Sequence, residues 1–348
     1  MTPIIVRAAG PADGPAIEAF VRGRPDGTPF HRPAWIEGVA AGARQRAHML
    51  VAERGPRIVG VLPLTEMRSR LFGKALASSG FAVGGGALAE SGDIAEALLA
   101  EGWRLAERLG CPSLELRGGF LPAGEEWQRK EGAYAGFVRA LADTDDAELK
   151  AIPRKQRAEV RKALDGGLSV EIGRGKADRA AHYAVYAESV RNLGTPVFPR
   201  ALFGAILDRF GEDADILTVR HAGVAVASVL SLYHNGTVMP YWGGGTFGAR
   251  ALRANELMYF SLMRHARRRG CAAFDFGRSK IGTGPFAYKK NWGLEPMPLA
   301  YAVRTADGTQ AREVNPLSPK YQARIALWKK LPLWLANRIG PPIARGLG

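Results

Sequence analysis

Two apolar runs at residues 49–66, MLVAE and RIVGVLPLTE, flank Arg54-Gly55-Pro56 and predict an antiparallel hairpin. Ahead of it, residues 4–7 predict a strand, residues 13–21 a short helix capped by Asp13, and PFHRPAWIEG a loop feeding an amphipathic helix. After it come a further strand, the Gly84-Gly85-Gly86 loop, helical spacing over residues 94–109 closed by Gly110, and a strand over residues 113–116. The second half repeats this plan. Val59 to Leu64 aligns with Ala227 to Leu232, and RLGCPSLELR from Arg108 aligns, after one gap, with RGCAAFDFGR from Arg269. Two such matches separated by about half the chain predict a duplicated α/β unit of hairpin, strand, glycine loop, helix and strand. In the second copy Asn235-Gly236 supplies the tight hairpin turn. A last strand is expected over residues 299–304.

Length and patterning together place domains at residues 1–150 and 151–312, with a basic amphipathic tail over residues 313–348. Lys and Arg number 48 against 33 Asp and Glu, a formal charge of +15, which favours an anionic partner. Cys111 and Cys271 each open an apolar strand and read as buried reduced thiols, so a cytoplasmic location is expected. Residues 1–21 do not read as a secretory signal, and no apolar run approaches the roughly 18–20 residues of a membrane span. The six histidines are scattered, none at metal-ligand spacing, so no metal is expected.

Chemistry concentrates in CAAFDFGRSKIGTGPFAYKKNWGLEPMPLAY, residues 271–301. Phe274 and Phe276 alternate around Asp275, Gly277 frees a turn, and Arg278 and Lys280 leave the strand end. A Gly-Thr-Gly-Pro loop then introduces Tyr288, Lys289, Lys290 and Trp292, and lysines are seldom set among aromatics for packing alone. Transfer of an acyl group to an amine needs a free amine and stabilisation of the tetrahedral oxygen. Lys289 suits the second task, Asp275 is the nearest carboxylate for the first, and Lys290 would depress the pKa of its neighbour. Between the copies, Arg154, Arg157 and Arg161 share one helix face and read either as a solvated surface or as a phosphate clamp. Residues 187–202, with two prolines and a glycine, suit a lip over a cleft. The tail, with Trp328, Lys329, Lys330 and Trp334, suits either a membrane surface or packing across the domains.

The chain resembles the FemAB-like transferases, built of two GNAT-type acyltransferase domains, and within them the subgroup associated with the PEP-CTERM/exosortase system. PFHRPAWIEG, IPRKQRAEVRKALDGGL, AESVRNLGTPVFP, YWGGGT, FDFGRSKIGTGPFAYKKNWG, NPLSPKY and IALWKKLP carry the resemblance across nearly the whole chain. It implies tandem mixed sheets flanked by helices, and acyl or aminoacyl transfer to an amine on a cell-envelope or exopolysaccharide-related precursor. Tyr288 and Lys289, with Trp292 and Gly293, match the family's acyl-transfer site. Arg154, Arg157 and Arg161 match its arginine-rich second-domain start, and with Tyr241, Arg278, Lys290 and Trp292 form the expected substrate-binding set. Gly243, Gly244 and Gly245, ahead of a helix from Asn255, stand where GNAT domains cradle the pyrophosphate of CoA, although the segment departs from the usual glycine pattern there. The implied co-substrate is acyl-CoA or aminoacyl-tRNA, with no tightly bound cofactor. The expected partners are an anionic small molecule or polysaccharide precursor, tRNA, and the inner membrane face through the tail, but not DNA. A second expectation, from another class, is a catalytically silent GNAT-like module that binds an anionic polysaccharide intermediate or tRNA within an assembly.

Overall fold

The computed structural model describes residues 3–69, 71–309 and 319–347. The first half runs β1 (Ile4–Ala8), α1 (Gly14–Arg22), α2 (Pro33–Ala43), β2 (Arg46–Arg54), β3 (Arg57–Ser69), β4 (Gly73–Ser78), β5 (Leu88–Ala89), α3 (Gly92–Leu109), β6 (Ser113–Arg117), β7 (Trp127–Gly136) and β8 (Val138–Ala140). Next come α4 (Asp145–Ala151), α5 (Arg154–Leu164), β9 (Leu168–Gly173), α6 (Lys176–Leu193), α7 (Arg200–Phe210), β10 (Ala214–His221), β11 (Val224–His234) and β12 (Thr237–Gly245). The chain continues through α8 (Ala249–Leu252), α9 (Ala254–Arg268), β13 (Ala273–Asp275), β14 (Ser279–Lys280), α10 (Gly284–Asn291), β15 (Met297–Thr305), α11 (Pro319–Lys329) and α12 (Leu333–Ala344).

The duplication is visible in the topology. Hairpin β2–β3 corresponds to β10–β11, β4 to β12, α3 to α9, and β6 to β13; in each copy the last strand lies parallel to the strand before the helix. Asn235 and Gly236 turn the second hairpin with φ of 44° and 70°, the left-handed pair that a two-residue turn requires. Gly110 ends α3 at φ 62°.

The halves do not separate at residue 150. The first sheet has the order β1-β2-β3-β4-β6-β15-β7-β14, with β5 on β3, so β14 and β15 from the second half complete it. The second sheet, β8-β13-β12-β11-β10-β9, takes β8 from the first half. The physical cause is one antiparallel ribbon that passes from sheet to sheet. Ala273 pairs with Ala140 and Asp275 with Val138, Phe276 N–H donates to the Phe137 carbonyl at 2.8 Å, and Ser279 then pairs with Ala135. A boundary drawn from linear sequence cuts across this ribbon.

A shared apolar core fills the contact between halves. Trp35 stacks on Trp242 with centroids 5.7 Å apart, Phe30 lies 5.2 Å from Tyr241, and Phe81 lies 5.3 Å from Phe198. Ion pairs also cross, from Arg22 and Arg32 to Asp213 and from Arg209 to Glu37. A partly exposed pair is worth about 0–1 kcal/mol, whereas a fully buried aromatic contributes about 2–3 kcal/mol, so packing dominates the union. The segment expected as a lip is part of this core: Val197 is buried and Phe198 packs on Phe81, so the link between α6 and α7 is held rather than free.

Helices α2 and α7 touch across the same boundary at two glycines. A Cβ on Gly42 would meet the Ala201 carbonyl oxygen and Leu202 nitrogen at 2.8 Å, backbone atoms that cannot swing aside. Gly42→Ala is expected to destabilise the chain by about 1–3 kcal/mol. A lowered thermal unfolding midpoint checks this; an unchanged one would mean that α2 and α7 separate freely.

Candidate active site

Parallel strands β12 and β13 pair only at Thr237 with Ala273 and Val238 with Phe274. Beyond that, β12 runs on to Gly245 along β11, whereas β13 ends at Asp275 and the chain turns at Gly277, φ 69°. The strands therefore part. On the other edge of β12 the register shifts, Leu230 facing Trp242 and Ser231 facing Pro240, so Tyr241 is an extra, bulged residue. Its hydroxyl donates to the Phe81 carbonyl at 2.6 Å, tying the bulge to the first half.

Adjacent positions on a helix point about 100° apart, and α10 uses this to divide its two lysines. Lys290 is exposed, while Lys289 turns inward. The Lys289 Nζ donates to the carbonyls of Gly277 at 3.2 Å and Arg278 at 3.0 Å and lies 5.6 Å from the Phe137 ring centroid. Burial lowers its pKa from 10.5 to about 8; Asp275 opposes that shift and Arg278 adds to it. Asp275 accepts the Gly277 N–H at 2.7 Å, and burial raises its pKa against the pull of that N–H and of Lys289. Its carboxylate thus closes the turn as well as facing the lysine.

Arg278 stacks over Tyr134 at 4.4 Å and Tyr301 at 5.6 Å, and its Nη1 donates to the Tyr301 hydroxyl at 3.0 Å. Tyr301 in turn donates to the Val83 carbonyl at 3.0 Å. Sequence reading passed over Tyr134, Tyr301 and Phe137, because only the inter-sheet ribbon brings strands so distant in sequence to this point. Tyr288 points away from Lys289, its hydroxyl 3.4 Å from Glu256 Oε1, and burial and Glu256 hold it well above a normal phenol. Glu256, near Gln156 Nε2 at 3.5 Å, also went unremarked; it stands in the first turn of α9 just ahead of the apolar run Leu257-Met258-Tyr259-Phe260, a signal that was available. Trp292 is 1 % exposed, packed on Phe276 and Tyr259 at 5.8 and 5.9 Å, and so belongs to the core rather than to a substrate surface.

Helix α5 begins beside the exit of α10, with the Pro153 ring 3.0 Å from where a Cβ on Gly293 would stand. It buries Gln156, Val160 and Ala163, leaving Arg154 and Arg161 exposed and Arg157 half-buried with its Nη1 on the Lys150 carbonyl at 3.3 Å. Among the described residues none of these three arginines has a carboxylate partner.

The glycine cradle takes a different form from the one expected. Gly243, Gly244 and Gly245 lie within β12, paired with Val229, Ser228 and Ala227. They are small because neighbours fill the space: a Cβ on Gly244 would sit 2.7 Å from Ser189 Cβ, and one on Gly245 would sit 2.9 Å from Asn255 Oδ1. The Asn255 Oδ1 is buried without a donor. In the loop that follows, the Phe247 N–H already donates to Glu188 Oε1 at 2.7 Å, which puts a carboxylate where a phosphate would otherwise gather N–H groups.

Two cavities lie elsewhere. One, of about 510 Å³, is lined by His31, the loop through Gly84 and Gly85, the start of α3, and Phe120; the other, of about 380 Å³, is lined by Lys176, Arg179, Tyr183 and Arg200. Among the described residues no cluster of His, Cys, Asp or Glu is placed to hold a metal ion.

Residues 152–290 match the family model for the acetyltransferase (GNAT) domain, a span that ends at the Lys289-Lys290 pair. FemX is similar at a TM-score of 0.64 and 15% identity, over 85% of this chain and 96% of that one. A tandem GNAT protein from the clavulanic acid biosynthesis pathway is similar at 0.54 and 14%, over 88% and 100%. The C-terminal domain of a protein assigned as a lysylphosphatidylglycerol synthetase from Agrobacterium fabrum is similar at 0.56 and 13%, over 85% and 92%. No curated protein matches the chain. The fold is thus a tandem of two GNAT-like α/β units, similar to that of FemX and of the tandem GNAT protein.

Lys289 is expected to titrate near pH 8, well below the ordinary lysine value of 10.5, when labelling by acetic anhydride is followed by mass spectrometry across pH. Asp275→Asn removes the negative charge that holds that value up and should move the midpoint lower still. A midpoint near 10.5 in the unaltered protein would contradict the burial.

Proposed function

We propose that the chain is an N-acyltransferase whose reacting carbonyl lies at the parting of β12 and β13, next to Lys289. The observation that carries this reading is the inward Lys289 ammonium, held by two backbone carbonyls and only partly offset by Asp275. With a pKa of about 8 it is about nine-tenths protonated at pH 7, a cation without a tight carboxylate pair among the described residues. The acceptor amine attacks the acyl carbon, the carbonyl oxygen becomes an oxyanion, and Lys289 stabilises that charge as it develops. Ionised Asp275 draws a proton from the amine, and collapse of the tetrahedral species expels the donor's leaving group. Arg278 and the arginines of α5 are proposed to hold the anionic part of donor or acceptor, with Tyr241 and the Tyr301 hydroxyl shaping the wall toward the first half. Tyr288 and Trp292 set the position of α10 from behind.

The donor is a polyanion, acyl-CoA or aminoacyl-tRNA, consistent with the charge of +15. Glu188 of α6, bonded to the loop after β12, argues against a close copy of the usual pyrophosphate cradle, and Arg250, exposed at the start of α8, is a cation beside that loop suited to a phosphate. The acceptor is proposed to be an amine on a cell-envelope or exopolysaccharide-related precursor, and the compartment the cytoplasm, where both donor classes are made. The silent-module reading draws on two cavities that lie away from Lys289.

Calorimetric titration with acetyl-CoA, deacylated tRNA and a nucleotide sugar separates the donors, and turnover separates enzyme from module. Lys289→Ala should lower kcat by about 10²–10³ with the thermal midpoint retained. Turnover of the unaltered enzyme should fall as pH rises through about 8, where Lys289 loses its charge, and fall again at acid pH as Asp275 is protonated. Lys289→Arg should move the alkaline limb upward. Undiminished transfer by Lys289→Ala would reject the assignment.

A further inference from the structure

We propose that the corner where α11 meets α12 docks on the surface of an anionic lipid bilayer. This goes beyond acyl transfer and does not depend on it. The corner is mounted firmly on its inner side. Arg191 Nη1 at the end of α6 donates to the Lys329 carbonyl at 3.3 Å, Ile325 packs against Gly194, and Gly340 lies on Val197 and Trp328. Gln45 Nε2 in the first half donates to the Arg345 carbonyl at 2.8 Å. The tail therefore bridges both halves, and its outer side has a fixed orientation.

That outer side combines two features that a soluble surface usually keeps apart. Leu327 is 66% exposed and Trp334 68%, large apolar side chains on either side of the Lys329-Lys330-Leu331-Pro332 turn. Leu193, at the adjoining end of α6, is 59% exposed, and Ile339, five residues beyond Trp334 on α12, is 37% exposed. The lysines at the corner are exposed, as is Arg338, four residues after Trp334 and hence on its face. From residue 314 to 348 the chain holds six Lys and Arg and no Asp or Glu.

With no Asp or Glu in the tail from residue 314 on, the corner offers a single sign of charge around an apolar centre. Indole and leucine enter the boundary of headgroups and acyl chains, while lysine stems lie along it with their ammonium groups on lipid phosphates. No helix among the described residues is long and apolar enough to cross a membrane, so the contact is with the surface. An anionic leaflet supplies the complementary charge.

The intact chain should co-sediment with vesicles of phosphatidylcholine containing about a third phosphatidylglycerol, weakly with phosphatidylcholine alone, and less as salt rises. The double variant Lys329→Glu/Lys330→Glu should reduce partition to the anionic vesicles by at least about tenfold. Trp334→Ala with Leu327→Ser should abolish binding at every salt concentration; both pairs are exposed, so circular dichroism and the thermal midpoint should not change. Undiminished binding by either double variant overturns the proposal, because a surface other than this corner would then be responsible. Failure of the unaltered chain to bind anionic vesicles at low salt also overturns it. So does concentration-dependent self-association that Trp334→Ala abolishes without any vesicle binding, which would assign the patch to a second copy of the chain.

Discussion

The structure depends on one antiparallel ribbon, residues 134–140 against 273–280, that leaves one sheet and enters the other. Backbone N–H and C=O groups must be paired wherever they are buried. Once β13 commits its far edge to β8, and the chain beyond it to β7, it can no longer follow β12. The parting of the parallel strands is the geometric consequence. The same ribbon brings Tyr134 and Phe137 from the first half beside Arg278 and Lys289 from the second. A site made this way cannot be assembled by either half alone.

Electrostatics at that point is set by exclusion of water more than by pairing. Lys289 and Asp275 attract each other, yet burial displaces both from their ordinary values, and the shift of Lys289 to about 8 shows that desolvation outweighs the attraction. A tight ion pair would give a lysine whose charge is spent on its neighbour. A lysine held by backbone carbonyls instead keeps its charge available, which is what the proposed transfer would draw on at a carbonyl oxygen turning negative. The neighbouring Lys290 on the same helix remains in solvent, so the Lys-Lys dipeptide is one inward cation and one outward one.

The remaining positive charge is distributed by surface. Arg154, Arg157 and Arg161 run along α5, whose start meets the exit of α10, and the tail adds a separate basic face with exposed Leu327 and Trp334. The tail also packs on α6 and reaches Gln45, so interdomain packing and an outward basic face, alternatives in the linear pattern, coexist on opposite sides of the same helices.

By itself the sequence determined the elements and their duplication: the two hairpins, the helix ended by Gly110, the helix from Asn255, and the Tyr-Lys pair ahead of a glycine. These are properties of neighbouring residues, where periodicity and backbone freedom act over a few positions. Only the tertiary structure decided which strands joined which sheet, because β8, β14 and β15 are short or ordinary strands whose partners lie far along the chain. It likewise decided that Gly243–Gly245 form part of a strand crowded by Ser189 and Asn255, that Trp292 is core, and that Lys289 rather than Lys290 faces inward. Each of those outcomes turns on which side of an element meets another. Local pattern says that a side exists; only packing against a distant segment says what lies opposite it.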